Sequence, residues 1–311
     1  MNRRDRLWRW YLAAQAVIAP TGVAVLVYLL VQALPFVRVS DVAAPLLLSC
    51  LVAAAGYAAF GLRLGWVLDA FSLKMPWPSV WRIHLTSLFY YFFLPAGVGY
   101  DLSKGAKIAA RTRQVRKRRI ASAVLGERLV GGAGVYVLLL GAWPFIEFGD
   151  GSRVQAFMPA RWVWPSLVAA TVIGVIALVH WARRRGATAI RPLLIAVSVS
   201  AGAHLIVATA VWLVASALVL PISLADVVAA MAATLLFQLV PVNLVGVSLG
   251  EVAAVAVYLA LGLERPEALL LATVAYAHRL VIAVVGGFLE GIGAARGLLH
   301  GRLSRPRLGH D

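Results

Sequence analysis

The feature that leaves this chain least freedom is a succession of apolar segments, each long enough to cross a bilayer, separated by short loops rich in Lys and Arg. The pattern predicts full spans over about 10–34, 43–66, 121–145, 162–181, 193–219 and 267–290. A crossing helix needs about 20 predominantly apolar residues, because it rises ~1.5 Å per residue through a hydrocarbon core of about 30 Å. With 62% hydrophobic and 14% charged residues and a mean hydropathy of +0.86, a soluble domain of 311 residues is excluded. The expected fold is all-α: a polytopic membrane helical bundle forming a single integral membrane domain over 1–311.

The placement of the bases sets the orientation. A net charge of +16 in a soluble chain would suggest nucleic acid. Here the bases lie between apolar segments, so they report topology and contact with anionic head groups, and no nucleic-acid partner is expected. Arg3, Arg4, Arg6 and Arg9 put the N-terminus in the cytoplasm. The apolar stretch behind them is too long for a signal-peptide core and reads as a retained first helix. Arg63, Lys74 and Arg82 mark a cytoplasmic loop after the second helix, with Asp69 solvated in it. Arg183, Arg184, Arg185 and Arg191 mark another, and a basic tail over 296–311 a third. The loop 146–161 sets Glu147 and Asp150 against Arg153 and Arg161 and fits outside. A multi-pass membrane protein with both termini cytoplasmic is expected.

Two segments refuse this scheme. From about His84 to Gly99 the chain is too short to span, and it runs through Pro95–Gly99 into a loop carrying Lys104, Lys107, Arg111, Arg113 and Arg116 to Arg119. That loop belongs in the cytoplasm, so the segment enters from there, breaks and returns. Residues 226–262 start and finish outside and form a second hairpin meeting near Pro241–Gly250. Irregular backbone at membrane depth is tolerated only inside protein or along a wet cavity. Two broken elements entered from opposite sides, with pseudo-repeats at 79–145 and 226–290, predict an inverted repeat around a midplane site.

The candidate site residues are the ionisable and polar groups near these breaks: Asp101, Lys104, Glu127 and Arg128 at the first, Asn243, Glu251, His278 and Arg279 at the second. An ionisable group at the centre of a spanning helix costs ~2.5–3.5 kcal/mol or more, so it needs a partner or a ligand. Neighbours on a helix diverge, so Glu127 does not neutralise Arg128, and His278 does not share a face with Arg279. Two readings stay open. The arginines close ion pairs, such as Arg128 with Asp101 and Arg279 with Glu251, or they grip a phosphate in a bidentate fork. Ser248-x-x-Glu251 also matches a capping box, and Asp101 caps a helix starting near Leu102. Ser200 and His204 share a helical face, His84 reads as interfacial, and Gly131, Gly132, Gly134, Gly286 and Gly287 read as close helix packing. The bases of 104–119 read as a solvated face on anionic lipid.

Cys50 is the lone cysteine and the six histidines are scattered, so neither disulfide, metal nor other cofactor is expected. No GxSxG, HExxH or P-loop motif is present, and the expectation is a protein that is not an enzyme.

The motifs LPAGVGYDLSKG (94–105), AVLGERL (123–129), VPVNLVGVSLGE (240–251) and AYAHRLV (275–281) resemble the lysylphosphatidylglycerol synthase transmembrane-region family. These are flippase-like membrane proteins related to the N-terminal half of the multiple peptide resistance factor. The resemblance covers about 10–295. Pro95, Gly97, Gly99 and Asp101 stand in the family's first motif, Arg128 matches its helix arginine, and Pro241, Gly246 and Glu251 match its second. Tyr100, Lys104 and Asn243 depart from it. The resemblance does not extend to the soluble aminoacyl-transfer domain of the full-length synthases, so aminoacylation of phosphatidylglycerol is not expected. The resemblance implies movement of an anionic phospholipid, a glycolipid or a polyprenyl-phosphate lipid across the bacterial inner membrane. Its alternatives are a non-catalytic partner of a lipid-modifying or glycosyl-transfer enzyme, and a polyprenyl-phosphate-dependent membrane transferase.

Overall fold

The computed structural model describes residues 39–92, 98–112, 115–146, 160–237, 243–244 and 247–303. The helices are α1 (Val39–Ala70), α2 (Trp77–Tyr91), α3 (Val98–Arg111), α4 (Lys117–Ala142, extended by a 3-10 turn over Trp143–Phe145), α5 (Ala160–Arg184), α6 (Arg191–Ala217), α7 (Leu224–Phe237), α8 (Leu249–Ala260) and α9 (Arg265–Leu303). Ahead of α8, Asn243–Leu244 pairs with Val247–Ser248 as a two-residue antiparallel ladder. Among the described residues four helices are long and apolar enough to cross a membrane: Ala43–Ala70, Lys117–Phe145, Arg191–Ala217 and Arg265–Ile292. The chain is an all-helical membrane protein.

Local chemistry explains the ends. Pro78 and Pro192 occupy the first turns of α2 and α6, where a missing amide hydrogen costs nothing. At the start of α7, Ser223 N–H donates to Asp226 Oδ2 at 2.7 Å and Asp226 N–H donates back to Ser223 Oγ at 3.2 Å, a reciprocal cap of two orphan amides. The α5 and α8 ends turn on Gly186 and Gly262 at φ +97° and +95°, a region that penalises a Cβ. Their successors, Ala187 and Leu263, donate back to the carbonyls of Ala182 and Tyr258.

Several boundaries differ from the sequence reading. Helix α1 runs through Ala70, so Arg63 and the half-buried Asp69 lie within it. Arg63 is buried rather than part of a cytoplasmic loop. Its packing against α4 and α6 overrides the loop signal of a lone base. Helix α9 continues to Leu303, so the expected tail begins inside a helix. The expected first span over 10–34 lies outside the described residues, as do Pro95 and Pro241. On either side of Pro95 the helix ends at Tyr91 and resumes at Val98, and around Pro241 it ends at Phe237 and resumes at Leu249.

The packing has an internal correspondence. Arg128 and Arg279 lie 151 positions apart, and so do Val98 and Leu249, the first residues of α3 and α8. Pairing α1 with α6, α2 with α7, α3 with α8 and α4 with α9 sends nearly every helix contact onto another observed contact. Thus α2 packs on α3 as α7 does on α8, and α3 on α4 as α8 does on α9. Helix α4 crosses over to α7 of the other half, as α9 crosses to α2. The extensive α1–α6 contact maps onto itself.

Two apolar cores sit at opposite ends of the long helices. One gathers Leu64, Leu68, Phe71, Ile83, Ile120 and Leu193; the other gathers Leu139, Ala215, Val228, Leu261 and Leu271. Helices α4 and α6 run from the first core to the second, and the polar side chains lie between. Apolar side chains also face outward, among them Leu47, Leu51, Ile173, Ile176, Val284 and Phe288, as lipid contact requires.

Candidate functional site

Glu127 is the centre of the polar layer. It lies ten residues into α4, about 15 Å along the axis, and is 1% exposed. Arg63 of α1 binds it through both Nε (2.9 Å to Oε1) and Nη2, and Lys104 of α3 meets Oε2 at 2.5 Å. Arg63 Nη1 also donates to Ser200 Oγ of α6 at 3.2 Å. A carboxylate held by two cations on three helices repays part of the desolvation that burying charge costs. The group retains one positive charge in excess. Gly131, one turn beyond Glu127, makes room for it: a Cβ there would press on the Arg63 guanidinium. Phe60 faces the guanidinium carbon at 4.7 Å, and the Tyr100 ring lies 3.6 Å from Lys104 Nζ.

Beside this cluster lies a cavity of about 240 Å³, lined from both halves of the chain. The first half contributes Arg63, His84, Tyr100, Asp101, Glu127 and Arg128; the second contributes His204, Tyr276 and Arg279 with an apolar wall from α6, α7, α8 and α9. Arg128 Nη1 donates to Asp101 Oδ2 at 3.0 Å, and both side chains remain partly exposed. Arg279 Nη1 donates to Tyr91 Oη at 3.3 Å, with its guanidinium carbon 5.4 Å from that ring. His84 pairs through Nδ1 with Tyr100 Oη at 3.0 Å, and its Nε2 is buried. Helix α3 is amphipathic and outside the four candidate spans. On it, burial pushes the Asp101 carboxyl above its usual range, against the pull of Lys104 and Arg128. Burial likewise draws the Lys107 ammonium below its usual range, although Glu290 opposes the shift.

Of the residues singled out by sequence, Asp101, Glu127, Arg128 and Arg279 meet in this one cavity. Asp101 lies in the first turn of α3, which starts at Val98, and its side chain holds Arg128. Lys104 is fully buried beneath Tyr100, not part of a solvated basic face, because the Glu127 carboxylate draws it inward. His278 is buried at the α9–α1 crossing, with Nε2 2.7 Å from Ser49 Oγ. His84 is buried rather than interfacial, held by Tyr100. Glu251 lies in the first turn of α8 and Asn243 in the ladder; their side chains, and with them the Ser248–Glu251 cap and an Arg279–Glu251 pair, fall outside the described residues. Ser200 and His204 share their helical face as expected, with His204 Nδ1 2.7 Å from the Ser200 carbonyl oxygen. A Cβ on Gly134 would strike Ser200, one on Gly286 the Leu85 carbonyl and one on Gly287 the Phe89 ring. A Cβ on Gly132 would meet nothing within 4 Å, and the residue lines the cavity instead.

Arg63 and Tyr91 are the members that sequence reasoning missed. Arg63 lies within three residues of the expected helix end, where a base is ordinarily a topology marker. The available signal was helix length, since the apolar run continues through Val67 and Leu68.

Among the described residues no group of three His, Cys, Asp or Glu side chains is placed to hold a metal ion. Compared with models of protein families, with curated proteins and with solved structures, the chain matches none.

Proposed function

We propose that the chain is a flippase-like lipid transporter, moving a lipid with an anionic or glycosylated head group across the bacterial inner membrane. The observation that carries this reading is the convergence of Arg128 and Arg279, from corresponding positions of the two halves, on one cavity. Guanidinium groups match phosphate oxygens in a bidentate fork. The Arg128–Asp101 pair is partly exposed, so its arginine is exchangeable between carboxylate and phosphate at small cost. The resemblance to the lysylphosphatidylglycerol synthase transmembrane region supports the same reading. So does the two-fold correspondence of helix contacts, which fits an inverted repeat with about six spans and two re-entrant hairpins meeting at the site.

The test is movement of a fluorescent anionic phospholipid between leaflets of proteoliposomes. The parent protein is expected to move it, and Arg128→Ala and Arg279→Ala to lose that activity while keeping their melting temperatures. Equal movement by the parent and both variants, or none by a folded parent, rejects the transporter.

A second reading has its own observation. Arg111, Arg116, Lys117 and Arg118 are exposed around the α3–α4 junction, a surface suited to docking an acidic face of a lipid-modifying enzyme. Neutralising those four residues separates the two: docking would be lost and lipid movement spared.

A further inference from the structure

The two halves correspond in packing but not in charge. Counting 151 positions on, Arg63 becomes Val214, Asp101 becomes Val252, Lys104 becomes Val255 and Glu127 becomes His278, while Arg128 alone keeps its charge, as Arg279. The cavity inherits this difference. Along α6 its lining passes from His204, beside the Arg63 cluster, to Val207 and Val211; along α9 it passes from Arg279 to Ala275 and Ala272. Each stretch covers seven residues, about 10 Å of helix. From α7 come Val227 and Ala230, both nearly fully buried. The lining thus turns from charged to mainly hydrocarbon within one cavity, with Thr234, Tyr258 and Tyr276 as the polar groups at that end.

That gradient restricts what fits. A free phosphate or a phosphorylated sugar would leave the valine and alanine wall against water or against polar atoms without partners, which is unfavourable. A wholly apolar guest would offer Arg128 no oxygen beyond that of Asp101. We infer that the site takes a phosphate carried on a hydrocarbon chain. The phosphate sits at Arg128 and the first stretch of chain is enclosed among α6, α7 and α9 rather than left in the bilayer. The inference rests on the transporter reading only in using the same cavity.

The test uses the full chain in nanodiscs of zwitterionic lipid, titrated calorimetrically with ethyl, butyl and hexyl phosphate against empty nanodiscs. Each methylene buried contributes about fourfold in affinity, so butyl phosphate should bind roughly tenfold or more tighter than ethyl. In Val211→Phe and Ala230→Leu, which fill the apolar end from two different helices, that gain should vanish while ethyl phosphate still binds. Affinity independent of chain length in the parent, or an undiminished gain in whichever filled variant folds, overturns the inference. Competition then tells the sources apart. Displacement of hexyl phosphate by farnesyl phosphate supports an isoprenoid chain and displacement by a lysophosphatidic acid an acyl chain; failure of both overturns it. Chain-dependent binding without lipid movement would leave this inference standing and remove the transporter. Lipid movement without chain dependence would do the reverse.

Discussion

Ser49 Oγ on α1 lies 2.7 Å from His278 Nε2 on α9, and the corresponding positions in the other half are Ser200 on α6 and Glu127 on α4. There the serine does not meet its counterpart directly. The Arg63 guanidinium stands between, donating to Ser200 Oγ and to Glu127. One crossing is closed by a neutral hydrogen bond and the other by a buried ion cluster. The serine is kept, and the charge is peculiar to the first half.

Removing the carboxylate from that cluster leaves two like charges buried together. Glu127→Gln is expected to lower stability by about 3–5 kcal/mol, the usual consequence of breaking a buried pair. Adding Lys104→Met should recover part of the loss, since only Arg63 then needs a partner. Thermal unfolding of the purified protein measures both, and an unchanged midpoint in Glu127→Gln would remove the cluster from the contacts that hold the fold.

The glycines make a graded set. A Cβ at Gly286 would run into the Leu85 carbonyl oxygen, which belongs to backbone and cannot swing aside. Gly286→Ala should therefore part α2 from α9 and cost about 1–3 kcal/mol. Gly132→Ala, with open space around it, should melt like the parent. Equal midpoints for the two variants would contradict the packing described.

Asp101→Asn separates stability from binding. The pair it breaks is partly exposed, so the loss of stability should stay below about 1 kcal/mol. Relieved of its carboxylate, Arg128 should bind ethyl phosphate more tightly, and Arg128→Ala should abolish the gain. Calorimetry decides it; weaker binding in Asp101→Asn would mean that the carboxylate positions the arginine instead of competing for it.

At one edge, Lys107 Nζ of α3 lies 3.1 Å from Glu290 Oε2 of α9, and Tyr90 Oη donates to Glu290 Oε1 at 3.0 Å. Reversing either charge alone (Lys107→Glu or Glu290→Lys) should destabilise, and the double reversal should restore much of the loss. The coupling expected for such a half-exposed pair is about 0.2–1 kcal/mol, read from unfolding of the four proteins; additive effects would show that the contact contributes nothing.

Much of the helix plan was legible because hydropathy alone betrays a span. The expected segments 43–66, 121–145, 162–181, 193–219 and 267–290 each find a helix; that at 193–219 is displaced by two residues to Arg191–Ala217, and the others run longer at one or both ends. The Arg128–Asp101 pair was also legible, since an intramembrane arginine demands a partner and an acid stood just before the next helix. Arg63 and Lys104 were not, for the opposite reason. Each sits where a base ordinarily meets water, and only the fold reveals that both point at Glu127. The meeting of Arg128 with Arg279 was foreseen from repeated motifs, but the apolar wall opposite them was not. A valine that lines a cavity and a valine that faces lipid look the same in sequence, and only packing tells them apart.

The α1–α6 contact is the one helix pairing that the exchange of halves leaves untouched. Two conformations related by swapping the roles of the halves would share it unaltered. Any difference in free energy between them then falls on the pairings that exchange, among them α4 with α7 and α9 with α2. The middle serves as a fulcrum, and the bias of the seesaw is written at its ends.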